Sequence, residues 1–486
     1  MAEDVQRQVL SRRRLLQAGA AGAGALAVGG LAACAEDGTP TSSLIEPSPA
    51  ADLEGRVVRP GDAGYEDARK VWDGLFDHYP LAIAFCSTAA EVAAAITWAR
   101  QNDIALRVRS GRHSLQGWSG IDAGLVIDTS EMKQVRIDRE AQTATVGPGL
   151  DQGEVVEALG PEFAVPTGSE ASVGLGGVTL GGGIGFFSRS MGLTSDNLLA
   201  ADVVVPDGID GARLVRADRD TNSDLLWACR GGGGGNFGVA TSFTFGLSEV
   251  GEISVLDFSW PLSELGEVFE AWQRWAPGTD PRLGSNLVVL ADSVACTGVF
   301  RGDESEHREL SKPLLDAGRP QVTTRKGNWV DVFKTFNVGP RTYLNWIFSS
   351  AWAFEPFPAE AIDLIGDRMR KAPPGGSNFW CLSWGGAVAS EPEGGSPFPH
   401  RDALFYAEPG AGWNGNKLTS QARGWVAEFG KALRPYMSGS YVNVPESALA
   451  DWGDAYYGPN FGRLREIKSR WDPGNVFDFE QSIPPA

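Results

Sequence analysis

The chain has 486 residues, 42% apolar and 21% charged, a composition that excludes a disordered protein and leaves room for two or three folded units. Its formal charge of −19, with no basic run in the mature part, excludes a nucleic-acid binder, which needs clustered Lys and Arg. Four histidines without paired-ligand spacing give no metal site, and cysteines without a CxxC pattern point to buried thiols rather than disulfides.

The first 34 residues read as a targeting segment. Ser11-Arg12-Arg13-Arg14-Leu15-Leu16 precedes an alanine- and glycine-rich apolar run over 18–33, the pattern of a twin-arginine export signal. The run is too short and too glycine-rich for a permanent membrane span. It ends in Leu31-Ala32-Ala33-Cys34, which resembles a lipobox with Cys34 as the lipidated residue; cleavage near Ala33 to a soluble secreted protein is the alternative. Residues 35–56, rich in Pro, Ser, Thr, Ala and acids, read as a tether.

Folded structure is expected from about residue 57. Apolar runs over 82–85 and 105–108 read as strands around a helix over 89–101 whose alanines share one face, a βαβ beginning. Strands follow over 125–128, 134–138 and 143–146, then a helix over 150–159. A strand over 198–205 ends at the turn Pro206-Asp207-Gly208, and a helix over 225–229 leads to five consecutive glycines, 231–235, and a strand over 239–247. Gly233, Gly235 and Gly238 spell G-x-G-x-x-G, but here a helix precedes and a strand follows. That order is the reverse of the dinucleotide fingerprint and argues against a Rossmann domain. From 252 the pattern becomes strand (255–260), helix (262–275), two strands (285–291 and 294–300), helix (305–315) and strand (322–325). The expected class is therefore α+β, with an antiparallel sheet flanked by helices in the second unit.

Two stretches carry chemistry. Arg109-Ser110-Gly111-Arg112-His113-Ser114 puts an imidazole and several backbone N–H groups on a glycine-opened turn after an apolar run, as a phosphate-bearing cofactor requires. The segment 173–185, with Gly174, Gly176, Gly177, Gly181, Gly182 and Gly183, removes side chains where a large flat ligand needs close backbone contact. Together they suggest a bound flavin.

With these motifs the chain resembles the berberine bridge enzyme-like FAD-linked oxidoreductases, whose FAD-binding fold is of the vanillyl-alcohol oxidase type. The likeness continues through Gly124-Leu125-Val126-Ile127-Asp128, residues 167–185 and 192–198, Asp224-Leu225-Leu226-Trp227-Ala228, residues 230–237, Phe398-Pro399-His400-Arg401 and residues 441–477. It implies an FAD-binding unit over 57–248 built of two subdomains, a substrate unit over 249–438 and a closing segment, 439–486, that returns to the first unit. The cofactor residues it implies are Arg109 to Ser114, Thr167, Gly168, the six glycines above, Tyr441 and Asn443. In that family the histidine at the place of His113 is bonded to the flavin 8α-methyl group. Arg112 stands where glycine is frequent, and its guanidinium has two options, reaching phosphate or packing outward. Many members add a second link from a cysteine; the matching position here is Glu170, which cannot form a thioether, so a single link and a lower flavin potential are expected.

The resemblance also implies hydride transfer from an alcohol, a hemiacetal or an activated C–H to flavin N5, with oxygen or another acceptor restoring the flavin. Leu404, Tyr406 and Glu408 fall on one face of a strand at period two, Phe405 and Ala407 on the other. Glu408 is the first candidate for the base, since a carboxylate in a partly apolar pocket has its pKa raised towards the working range. Tyr406 and Tyr441 are the next candidates, and Glu170 a further one. Pro409-Gly410-Ala411-Gly412 reads as a loop, which would leave Glu408 at a rim. Tyr441-Val442-Asn443 matches the family's Y-x-N strand, but Val444, Pro445 and Glu446 follow where a tyrosine and an acid are usual. His400 and Arg401 read as fasteners of strand and loop, and Trp346, Trp352, Trp380 and Trp384 as core or as stacking platforms. Leu175 is placed beside the flavin ring, where its bulk would restrict oxygen. The competing readings are a tailoring oxidase for a natural product and a flavin-carrying extracytoplasmic binding lipoprotein.

Overall fold

A computed structural model describes Leu53 and residues 55–336 and 342–486; the export signal, Cys34 and most of the tether lie outside the described residues. The first sheet has the order Arg56–Val58, Ala82–Phe85, Leu125–Asp128, Leu106–Arg109, the last three strands parallel. Helix Ala89–Gln101 links two of them. It starts at Thr88, whose hydroxyl accepts from the Glu91 N–H while the Glu91 carboxylate accepts from the Thr88 N–H, a reciprocal cap. Its Val92, Ala95, Ile96 and Ala99 pack on Ala82, Ala84 and Ile127.

The second sheet is antiparallel, in the order Val135–Asp138, Thr143–Val146, Val239–Gly246, Leu198–Asp207, Gly211–Asp218. The last strand was not expected. Three charged residues interrupt this stretch and Leu214 is exposed, so only Val215 and Ala217 turn into the core, too few apolar positions to read as a strand. The helix expected over 150–159 begins at Gln152, because Asp151 caps it through the Glu154 N–H at 2.8 Å.

The third sheet holds the order Gln321–Gly327, Ile253–Pro261, Ser293–Arg301, Leu283–Val289, Asn378–Ser383, Phe405–Trp413, Asn345–Phe348, with Ala351–Ala353 also paired to Phe405–Trp413. All its pairings are antiparallel. Helices Leu265–Trp275, Ala359–Arg370 and Thr419–Leu433 cover one face through Phe269, Trp272, Ile365 and Phe429. The helix expected over 305–315 is two, Glu304–Leu310 and Lys312–Leu315, because Pro313 lacks the N–H that would continue the first.

Strand Phe405–Trp413 runs straight through the four residues expected to form a loop. Glycine makes this possible: a Cβ on Gly410 would sit 2.8 Å from Phe348 Cδ1, and one on Gly412 2.7 Å from Trp346 Cζ2, so neighbouring rings lie where side chains would stand. The opposite face of this sheet carries Trp352 and Tyr406, which pack with Leu193, Phe398 and Tyr441 against the glycine-rich segment of the first unit. Helix Phe461–Trp471 closes the chain against Leu225, Trp227 and Phe237.

Candidate functional site

Strand Leu106–Arg109 delivers the histidine turn to the mouth of a cleft. Arg109 is buried, and its Nε donates to Asp128 at 2.6 Å and its guanidinium to the Ala68 carbonyl at 2.5 Å, so it holds the turn to the next strand. Arg112 has a φ of +64°, donates to the Asp67 carbonyl at 3.0 Å and also lines the cleft. The Ser110 hydroxyl accepts from the Gly111 N–H at 2.7 Å, and that of Ser114 from the Trp118 N–H at 3.0 Å. His113 lies between Trp72, with ring centroids 4.7 Å apart, and Ser172, whose Oγ is 2.9 Å from its Nε2.

The glycine-rich segment contains a helix, Leu175–Leu180, that the glycine count concealed. Gly174 packs against Gly111 so closely that a Cβ on either would overlap the other's backbone nitrogen. The helix turns Leu175 into the core with Leu150, Val155 and Phe243, which removes it from the cleft wall where the resemblance had placed it. Gly182 and Gly183 have φ of +120° and +80°, a bend that side chains resist. Tyr441 and Asn443 clamp this bend. The Gly183 N–H donates to the Tyr441 hydroxyl at 2.8 Å and Asn443 Nδ2 donates to it at 3.0 Å, while the same Asn443 amide reaches the Val178 carbonyl at 3.1 Å. With two donors on its oxygen, Tyr441 keeps its own proton to donate. Burial pushes its pKa up to about 12.

The five-glycine loop forms the facing wall. Gly233 donates to the Leu180 carbonyl at 2.8 Å, and the loop is held from behind by Tyr457, Asn236 and Lys468. These glycines belong to the family likeness but not to the expected cofactor residues, yet Gly233, Gly234 and Gly235 line the cleft together with Tyr456, Phe477 and Phe479. The signal was the run of glycines itself, whatever its order relative to helix and strand.

The cleft is open at its mouth and holds a cavity of about 230 Å³. Its walls fit an elongated dinucleotide. A Cβ added to Gly177 would meet nothing within 4 Å, and one on Gly234 would meet only the Gly177 Cα at 3.7 Å and Leu180 Cδ1 at 4.0 Å, so the two glycines adjoin and present bare backbone to the cleft. Residues 109–114, Gly174, Gly176, Gly177 and Asn443 line this space. Thr167, Gly168, Gly181, Gly182 and Gly183 stand behind it: Gly168 donates to Gln152 Oε1 at 2.5 Å, Gly181 packs on Asn443, and the buried Thr167 abuts Gly185.

On the sheet face across from this segment, Tyr406 donates to Glu408 Oε2 at 2.5 Å. Burial pushes the Glu408 carboxyl up to about 7, against the downward pull of that hydrogen bond; burial and the neighbouring carboxylate hold Tyr406 well above the usual tyrosine range. Tyr406 and Tyr441 bring their rings within 6.0 Å, which joins the two clusters of candidate residues. Phe405 and Ala407 point into the opposite core. Trp352 and Trp384 are fully buried and are core residues, whereas Trp346 and Trp380 are half-buried. Arg401 pairs with Asp196 at 2.7 Å, and His400 Nε2 lies 3.0 Å from the Ser440 carbonyl with its pKa lowered to about 4 by burial, so both act as fasteners. Cys86, Cys229, Cys296 and Cys381 are buried thiols. Glu170 reaches Ser172 rather than the cleft floor.

Residues 80–209 match the model of an FAD binding domain, and residues 440–484 that of berberine and berberine-like proteins. The FAD-linked oxidoreductase YvdP of Bacillus subtilis (strain 168) is 42% identical over 445 residues, covering 89% of this chain and 99% of that protein. The monolignol oxidoreductase AtBBE-like 13 of Arabidopsis thaliana is 30% identical over 443 residues, 81% and 82% of the two chains. Among solved structures, BBE-like 1 of Physcomitrella patens superposes with a TM-score of 0.84 at 26% identity, over 90% of this chain and 99% of that one.

Proposed function

The chain belongs to the berberine bridge enzyme-like family of FAD-linked oxidoreductases, and on that premise we propose that it oxidises an alcohol, hemiacetal or activated C–H centre of a small molecule with Glu408 as base. The observation that carries this reading is the Tyr406–Glu408 hydrogen bond of 2.5 Å, beside Tyr441 and the glycine-rich segment, with the carboxyl raised to about 7. Bound FAD supplies the acceptor for the hydride, and oxygen or another acceptor restores it. The rest falls to the chain. Once ionised, Glu408 takes the substrate hydroxyl proton as the hydride departs, and the Tyr406 hydroxyl holds the carboxylate in place. Tyr441, whose ring packs 6.0 Å from that of Tyr406, has its hydroxyl proton left to donate. The monolignol-oxidising relative supports an alcohol as the substrate.

The proposal includes a single covalent anchor at His113, supported by its place in the cleft wall and by a glutamate at position 170. It includes export by the twin-arginine route and lipidation at Cys34, supported by the residue pattern of 11–34. The test of the activity is anaerobic bleaching of the flavin by a panel of primary alcohols and aldoses. At least one substrate is expected to bleach the wild type, and Glu408→Gln to retain FAD yet bleach at least about a hundredfold more slowly. Wild-type bleaching by Glu408→Gln removes Glu408 from the base role.

A further inference from the structure

We infer that Glu170, acting through Ser172, fixes the tautomer of His113 and thereby selects Nδ1 as the atom that bonds to the flavin. This rests on the covalent reading above. The Ser172 Oγ lies 2.7 Å from Glu170 Oε1 and 2.9 Å from His113 Nε2, and the same carboxylate oxygen accepts from the Ser172 N–H at 3.3 Å. The turn that carries the two residues is fastened to the start of helix Gln152–Leu159: the Gln152 N–H donates to the Val173 carbonyl and the Gly153 N–H to that of Ala171, each at 3.0 Å, and Gln152 Nε2 donates to the Glu170 carbonyl at 2.8 Å.

The direction of the chain follows from its donors. A carboxylate only accepts, so the one hydroxyl proton of Ser172 goes to Glu170, and the serine oxygen turns a lone pair to Nε2. Nε2 must then carry the ring proton, and the lone pair of the neutral imidazole is on Nδ1. Trp72 against the other side of the ring limits its rotation. Position 170 thus takes on an orienting role where a cysteine would have made a second bond.

The bond that forms joins His113 Nδ1 to the 8α carbon. With FAD bound, that carbon would release a proton to water, and the pair of its C–H bond would stay on the isoalloxazine as a two-electron reduction. The Nε2 proton passes to Ser172 as the serine proton passes to Glu170, which returns the imidazole to neutrality. Dioxygen then removes the two electrons and, with two protons, leaves as hydrogen peroxide. Glu170 and Ser172 touch neither carbon nor flavin in this sequence and are positioning residues.

The test uses wild type, Glu170→Gln, Ser172→Ala and Ser172→Thr, purified from riboflavin-limited cells and supplied with FAD in air. Acid-stable FAD is followed by the intact mass of denatured protein, total FAD by absorbance, and the attachment nitrogen by NMR of the flavopeptide. All four are expected to bind FAD. Wild type and Ser172→Thr gain the covalent mass through Nδ1, whereas Ser172→Ala, which lacks the hydroxyl, and Glu170→Gln, which keeps an acceptor without the charge, gain it about tenfold to a hundredfold more slowly. Wild-type rates in both slow variants, or attachment through Nε2 in the wild type, overturn the inference while leaving the covalent anchor standing. Bound FAD with no covalent mass in the wild type removes the anchor itself, and the inference with it.

Discussion

Gly111 and Gly174 stand back to back, each occupying the space where the other's Cβ would be, so that the histidine turn and the glycine-rich helix touch through main chain alone. Gly177, one turn along the same helix, has the opposite surroundings, with nothing within 4 Å of an added Cβ. The two glycines therefore separate the fold from the cofactor. Gly174→Ala is expected to lose at least ~1–3 kcal/mol of folding stability by overpacking. Gly177→Ala is expected to leave the melting temperature of the apoprotein unchanged or higher, since alanine favours helix, while weakening FAD retention. Thermal unfolding with and without FAD, on both variants, checks this; equal losses would show that Gly177 does not face the cofactor.

The raised pKa of Glu408 makes two pH-dependent statements. Flavin reduction by substrate should rise with pH through about 7 as the carboxyl ionises, and this limb should vanish in Glu408→Gln. The stability effect has the reverse sign. A carboxyl raised from the usual 4.5 to about 7 keeps its proton longer in the folded than in the unfolded chain, so the folded state is favoured below about 4.5 and loses that advantage as pH rises to about 7. Relative to Glu408→Gln, the wild-type apoprotein should lose about 3 kcal/mol across that window. Denaturant unfolding of both proteins at pH 4.5 and 7.5 measures the difference.

The alternation of Tyr406 and Glu408 against Phe405 and Ala407 was legible because successive side chains of a strand point to opposite faces, the polar pair to one and the apolar pair to the other. Its continuation through Pro409 to Gly412 was not, because those residue types signal a turn until the rings of Phe348 and Trp346 are seen lying over the glycines. The same effect hid the helix Leu175–Leu180: glycines that lower helix propensity are there for close packing, and this helix turns Leu175 into the core, away from the place beside the flavin that the resemblance implies. The His113 turn was readable from local chemistry alone. Its tie to Ser172 and Glu170 depends on a chain reversal 59 residues away in sequence, which no local pattern encodes.

Tyr441 accepts the buried N–H of Gly183, so Tyr441→Phe leaves that donor without its partner. The expected loss is about 1–3 kcal/mol of stability, together with slower flavin reduction. Asn443→Ala keeps the Gly183 bond to Tyr441 and should cost less. A Tyr441→Phe protein as stable as wild type would show that Gly183 finds another acceptor.

The proposed export and anchoring predict separable outcomes in cells. Wild type should fractionate with the membrane and take up a radiolabelled fatty acid, Cys34→Ser should do neither, and Arg12→Lys/Arg13→Lys should leave the protein inside the cell with its FAD bound. Membrane retention that survives Cys34→Ser would point to an anchor other than the lipidated cysteine.

Lys468 and Asp472 form a fully buried ion pair at 2.7 Å, one helical turn apart. Lys468 Nζ also donates to the carbonyls of Asn236 and Phe477, each at 2.7 Å, and Asp472 accepts from the N–H groups of Val476 and Phe477. The pair thus ties the last helix to the end of the five-glycine loop and to the tail that carries Phe477 and Phe479 into the cleft wall. Lys468→Met strands a carboxylate in the core and should cost about 3–5 kcal/mol. Lys468→Met with Asp472→Asn removes the stranded charge and should recover much of that stability. It should not recover FAD affinity, because the Asn236 carbonyl still lacks its donor and the loop is no longer held. Urea unfolding of apoprotein gives the first comparison and FAD titration the second; affinity returning along with stability would show that the lysine acts on the fold alone.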